Sequence, residues 1–179
     1  MSQTVMAEDP FDGIVATHHG EIYRYVRRIT TRATEADDLS QETFLRAYRA
    51  YRKLPPDANV RAWLFAIATN LCRNHFRSEK RRRAAHATVR TTGNIFGHGA
   101  DEETAFNETR ALIEGAIATL PLKQRLAFTL RKLHDLDYDA IAQSLSCSQD
   151  SARAHVFQAL RKIRIHLNGH SLPQMERPR

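Results

Sequence analysis

Phe11, Ile14, Val15, Ile22, Tyr25, Val26 and Ile29 recur at intervals of three, four and seven residues. That spacing collects side chains on one face of an α-helix, so residues 11–30 are predicted to be amphipathic and helical. The polar stretch TTRATEA reads as a connection. A second helix over about 36–52 carries Leu39, Thr43, Phe44, Ala47, Tyr48 and Tyr51 on one side, and Pro55 and Pro56 stop it. A third, over about 59–83, has an apolar stripe of Val60, Trp63, Leu64, Ile67, Ala68 and Leu71, with Asn59 as its expected N-cap. At 100° per residue, Ala62, Ala66, Thr69, Arg73, Arg77 and Lys80 fall opposite that stripe.

The periodicity then lapses. Residues 84–104 hold three glycines, several threonines and the acidic cluster Asp101, Glu102 and Glu103, the composition of a flexible linker. Helical spacing resumes with Phe106, Thr109, Leu112, Ile113, Ala116, Ile117 and Leu120. Pro121 opens a further helix with the stripe Leu122, Leu126, Leu130 and Leu133. Two helices follow, one marked by Tyr138, Ile141, Ala142 and Leu145, the other by Ala152, Val156, Ala159, Leu160, Ile163 and Leu167. Only Ser146, Cys147 and Ser148 lie between them, and so short a turn is the mark of a helix-turn-helix. No stretch alternates in the manner of a strand, and no segment repeats. The expected fold class is all-α.

A chain of 179 residues with 42% hydrophobic content holds one ordinary domain or two small ones. The formal net charge of +7 fits a polyanionic partner, because the charge is clustered: Arg73 to Arg83 contains six basic residues and one acid, Glu79. Cys72 and Cys147 are far apart, lack metal-ligand spacing and fall on apolar faces, so both are expected as small core residues in a reducing compartment. The start, MSQTVMAEDP, has no charged segment leading into an apolar run, and no stretch approaches membrane-spanning length. No HExxH, phosphate-cradling glycine loop or nucleophile–base set is present. The expectation is a cytoplasmic protein with no catalytic site, no metal and no cofactor.

Three surfaces remain. In a helix-turn-helix the second helix enters the major groove. With Val156 facing inward, Ala154, Gln158 and Arg161 point away, flanked by His155, Phe157 and Lys162, and Arg153 lies nearer the core edge within reach of a phosphate. Gln pairs bidentately with adenine and Arg with guanine. On the third helix, Asn70, Arg73, Asn74, Arg77 and Lys80, beside Phe65 and Phe76, suit backbone contact and stacking of unpaired bases. The alternative for the two phenylalanines is packing against neighbouring helices. The acidic start of the second helix, Asp37, Asp38, Gln41 and Glu42, repels DNA and suits either a protein partner or a solvated helix N-terminus matched to its dipole. Composition alone does not separate these two.

The stretches DDLSQETFLRAYRAY, RAWLFAIATNLCRNHFR, LPLKQRLAFTLRKLHDLDYDAIAQSLSCS and ARAHVFQALRKIR together resemble a bacterial RNA polymerase sigma factor of the extracytoplasmic-function group. The resemblance covers most of 11–86 and 105–167. It implies a region-two domain over 1–86 that docks on the polymerase and recognises and opens the −10 element, and a linker over 87–104. A region-four helix-turn-helix domain over 105–170, reading the −35 element, and a tail over 171–179 complete the division. Asp37, Asp38, Leu39, Gln41, Glu42 and Phe44 fall in the motif that meets the beta-prime clamp helices, with Leu39 and Phe44 also core candidates. LPPDANV and the start of RAWLFAIATN resemble the loop and helix that capture a flipped non-template base, and Asn70 matches the asparagine of that motif. Implied partners are core RNA polymerase, through the clamp helices and the beta flap, promoter DNA, and an anti-sigma factor. The family often reads Gly-Thr-Val-Arg-Ser-Arg where this chain has Asp150, Ser151, Ala152, Arg153, Ala154 and His155, so a distinct −35 preference is expected. Two other readings are a sigma-like decoy that binds an anti-sigma factor without touching DNA, and a stand-alone helix-turn-helix regulator.

Overall fold

The computed structural model describes residues 10–85 and 104–169, with backbone only over 104–109. Residues 87–103 of the expected linker, the tail over 171–179, residues 1–9, and the side chains of Phe106 and Thr109 lie outside what it describes. All regular structure among the described residues is helical. The chain divides into two compact units, Met1–Ala85 and His86–Arg179.

The first unit has three helices, α1 (Pro10–Thr30), α2 (Ala33–Ala50) and α3 (Val60–Ala85), and each packs against the other two. Ile22, Tyr25, Val26 and Ile29 of α1 are fully enclosed, at the spacing the sequence shows. Thr31 ends α1 at φ 67, and its carbonyl accepts from the Arg27 guanidinium. α2 begins at Ala33, earlier than expected: the TTRATEA stretch is mostly helix, because Ala36 is fully buried and supplies the first core contact. The helix ends at Ala50 and tightens into a 3₁₀ turn over Tyr51–Lys53 ahead of the prolines. Asn59 caps α3 as expected, its Oδ1 accepting from the Ala62 backbone N–H at 2.9 Å.

The buried face of α3 is rotated from the predicted stripe. Leu64, Phe65, Ala68, Thr69, Leu71 and Cys72 are buried, whereas Val60, Trp63 and Ile67 are only half-buried. α3 packs against both α1 and α2, and two neighbours demand a wider inward arc than one stripe provides. Thr69 turns inward because the Tyr25 hydroxyl lies 2.7 Å from its own. The Tyr25 ring meets Phe65 edge-on, with centroids 5.2 Å apart.

The second unit comprises α4 (Thr104–Ala118), α5 (Leu122–Lys132), α6 (Tyr138–Leu145) and α7 (Gln149–Gly169). Pro121 is the N-cap of α5 rather than its first residue. Ala116, Ile117, Leu120, Phe128, Ala159 and Ile163 form one core cluster, with Leu167 packed on it. Ile113, Leu133 and Leu160, expected on inward stripes, are 38–39% exposed. Arg125 donates to the carbonyls of Ala118 and Leu120 at 2.7 and 3.3 Å, so it satisfies acceptors left over at the end of α4. Burial lowers its pKa from the usual arginine value.

The helix-turn-helix is built by caps. Asp137 accepts from the Ala140 N–H at 2.7 Å to start α6. Ser146, at φ 52, ends it in the left-handed region, and the Cys147 N–H reaches back to the Ala142 carbonyl at 3.0 Å. Ser148 Oγ accepts from the Ser151 N–H at 3.1 Å and starts α7. Cys147 therefore sits in the turn, half-buried, and not on a core face; Cys72 is buried as expected.

Candidate nucleic-acid and docking surfaces

On α3, Asn70, Asn74, Arg77 and Lys80 are exposed and Arg73 is half-buried. At 100° per residue they share an arc of about 120°, so the helix brings five of the six expected residues onto one outward strip. Arg73 Nη1 lies 3.4 Å from Asn70 Oδ1. Phe65 is the exception: it is fully buried in the three-helix core, so its ring has no exposed face on which to stack a base. Its ring meets the Tyr25 ring, and the Arg61 guanidinium lies 5.3 Å from its centroid. Arg61 also forms a two-pronged pair with Glu21 of α1. Phe76 is half-buried, edge-on to His75.

Glu79 tempers the basic run, pairing with Arg82 at 3.6 Å and Arg83 at 2.8 Å. His75 Nε2 lies 3.4 Å from Glu35 of α2. Glu35, His75 and Glu79 each bring one donor atom within 4.8 Å of the others. No spacing rule anticipates this group, because Glu35 and His75 are forty residues apart and meet only through the α2–α3 packing.

On α2, Asp37, Asp38 and Gln41 are exposed, and Glu42 accepts from Arg46 Nε at 2.7 Å. Leu39 is half-buried. Phe44 is 8% exposed and belongs mainly to the core, where it meets the His19 ring at 5.6 Å. Two residues beyond the expected set stand out: Leu45 and Tyr48, 44% and 50% exposed. With Phe11, Val15 and Phe44 they line an open groove between α1 and α2, to which Asp37 and Gln41 also contribute. A joined apolar patch of this kind marks an interaction surface better than any single exposed side chain does. Tyr48 matched a helical stripe in sequence, and only the path of α1 decides that its ring stays half outside.

On α7, Arg153, Ala154, Phe157, Gln158, Arg161 and Lys162 are exposed, Phe157 to 69%. Arg153 is held at 3.1 Å by Asp150 and at 3.3 Å by Gln149, over the Tyr138 ring. Gln158 Oε1 accepts from Nε2 of Gln124 on α5 at 2.8 Å. His155 is half-buried, and burial, then the charge of Lys123, lowers its pKa from the ordinary value. Lys123 and Gln124 were absent from the expected surface; they lie more than thirty residues away in sequence and reach α7 only because α5 packs against it.

Among the described residues no helix is long and apolar enough to cross a membrane. Residues 14–82 match the family model for sigma-70 region 2, and residues 110–163 match that for sigma-70 region 4. The RNA polymerase sigma-H factor of Pseudomonas aeruginosa is 30% identical over 161 residues, covering 86% of this chain and 83% of that protein. The ECF RNA polymerase sigma-E factor of Escherichia coli is 27% identical over 161 residues, covering 86% and 84%. Among solved structures, the sigma factor RpoE from Bartonella quintana, in complex with the anti-sigma factor NepR, superposes with a TM-score of 0.74 at 18% identity. That match covers 88% of this chain and 96% of the other, a likeness of fold.

Proposed function

From a chain that belongs to the extracytoplasmic-function group of the sigma-70 family, we infer a promoter-specificity subunit that binds core RNA polymerase and directs initiation at a particular class of promoters. The observation that carries this reading is a pair of separate helical units, each presenting an outward basic strip, Asn70 to Lys80 on one and Arg153 to Lys162 on the other.

The division of labour follows from the chemistry of each strip. α7, after a tight turn, suits duplex readout in the major groove. The α3 strip mixes amides with cations, which suits a displaced strand: the guanidiniums meet phosphates and Asn70 meets the edge of an unstacked base. Unstacking a base costs a few kcal/mol, and capture offsets that cost without any nucleotide hydrolysis. The acidic start of α2, with the groove bounded by Phe44, Leu45 and Tyr48, supplies the protein-docking surface for the polymerase. Residues over 87–104 connect the two grips, so the polymerase sets their spacing. The protein acts as a non-catalytic factor in the cytoplasm, alongside RNA polymerase. An anti-sigma factor is the regulatory partner that this reading favours, by analogy with the Bartonella complex.

The exposed basic strips weigh against a decoy, because a protein that only mimics a sigma factor has no use for either. A stand-alone regulator leaves the first unit without a role. Run-off transcription with the full chain and core polymerase on a pool of genomic fragments tests the reading. A defined set of start sites is expected, and a pool that yields no factor-dependent transcript overturns it.

A further inference from the structure

A glutamine on the outward face of a DNA-reading helix is ordinarily free to use both ends of its amide. That freedom is what allows it to match adenine, whose N6 amino group donates while N7 accepts. Gln158 lacks it. Its Oε1 accepts from Gln124 Nε2 at 2.8 Å, across from α7 to the first turn of α5. One of the two lone pairs of the carbonyl is taken by the protein, which fixes the amide and leaves both amino hydrogens available to DNA. Gln124 is itself half-buried, and its own Oε1 is enclosed without a hydrogen-bond partner, so the bond to Gln158 is the polar contact that orients its amide. Arg161, Lys162 and Ile165 line the same depression as the two glutamines, which places the pair within the proposed DNA-facing surface and not behind it.

Resting on the reading of α7 as the −35 helix, we propose that Gln124 is a positioning residue that sets the base preference of Gln158. It biases Gln158 toward donating, and so toward guanine, with acceptors at both O6 and N7, over adenine. The pair would then be a two-helix specificity element. Half of it lies on α5, outside the helix that performs the readout. Neither residue is diagnostic alone, because a lone Gln158 predicts adenine and a lone Gln124 predicts nothing.

The test uses the full chain bound to core RNA polymerase and a promoter library randomised across the −35 element, with transcripts sequenced to give base preferences. Gln158→Ala identifies the base pair that depends on residue 158. At that pair the wild-type protein should favour guanine over adenine. Gln124→Ala should move the ratio toward adenine by roughly 5-fold or more, the scale of one good base contact. Gln124→Glu, which can only accept from Gln158, should turn the Gln158 carbonyl outward and favour bases that present an amino group. In the Gln158→Ala background neither change should alter the profile. Thermal melts by circular dichroism check folding, and Gln124→Met, which keeps the stem, replaces the alanine variant if that one melts early. If Gln158→Ala reshapes the profile and the Gln124 variants do not, the positioning role is wrong and the α7 reading survives. Uniform weakening across all sequences also overturns it, since that marks Gln124 as a backbone contact. If neither Gln158→Ala nor Arg161→Ala changes the profile, the α7 reading fails and this inference fails with it.

Discussion

The hydroxyls of Tyr25 and Thr69 share a 2.7 Å hydrogen bond at the centre of the first unit, with both side chains fully buried. It joins α1 to α3 at the level of Phe65, directly beneath the outward strip that begins at Asn70. A buried polar pair of this kind costs most when one partner alone is removed, because the other is left unsatisfied.

Tyr25→Phe is therefore expected to lower the unfolding free energy of the first unit by about 1–3 kcal/mol. Combining it with Thr69→Val should cost less than the sum of the single changes, with a coupling of about 0.5–3 kcal/mol. Trp63, the chain's single tryptophan, lies in this unit and reports its unfolding by fluorescence in urea. Strict additivity would show that the two hydroxyls do not depend on each other.

Burial raises the Tyr25 pKa well above its ordinary value and pushes the Cys72 thiol up from 9.0 to about 12. Both groups hold their protons longer folded than unfolded. Their contribution is complete below the unfolded values and is lost as pH rises toward the folded ones. For Cys72 the window runs from pH 9 to about 12, and each unit of pH within it costs on the order of 1 kcal/mol. Cys72→Ala should therefore lose less stability between pH 8 and pH 10 than the wild type does, whatever its starting stability. Urea melts at the two pH values measure this, and parallel losses would contradict it.

Asn70→Ala should impair promoter opening more than polymerase binding. Asn70 is exposed on α3, so the fold should not suffer. Permanganate footprinting of the melted strand, alongside a binding titration with core polymerase, separates the two effects. Normal melting with the variant would remove Asn70 from strand capture.

Arg161→Ala should weaken promoter binding by the holoenzyme and reduce its salt dependence by about one unit of slope, as expected when one phosphate contact is lost. Filter binding or fluorescence anisotropy across a salt series measures the slope. A slope equal to that of the wild type would place Arg161 off the phosphate backbone.

Much of this was legible along the chain. The periodicity of α1, the Asn59 cap and the three-residue turn at Ser146, Cys147 and Ser148 are local signals, and local signals survive in sequence because hydrogen bonds and side-chain directions within one helix depend on neighbours three or four residues away. The basic strip from Asn70 to Lys80 was legible for the same reason: exposed residues on one helix need no partner to stay in place. The start of α2 was less so. TTRATEA looks like a connection until α1 and α3 offer Ala36 a place to be buried.

What the sequence by itself determined is the order, type and polarity of the helices, and the family they spell. The tertiary structure alone decided which side of each helix is enclosed and which distant residues meet. Phe65 and Thr69 went inward because α3 touches two helices at once. Leu45 and Tyr48 stayed half outside because α1 covers only part of α2. Glu35 found His75, and Gln124 found Gln158, across helix packings that no spacing along the chain encodes. Periodicity specifies a face as an angle; only a neighbouring helix decides whether that face is core or surface.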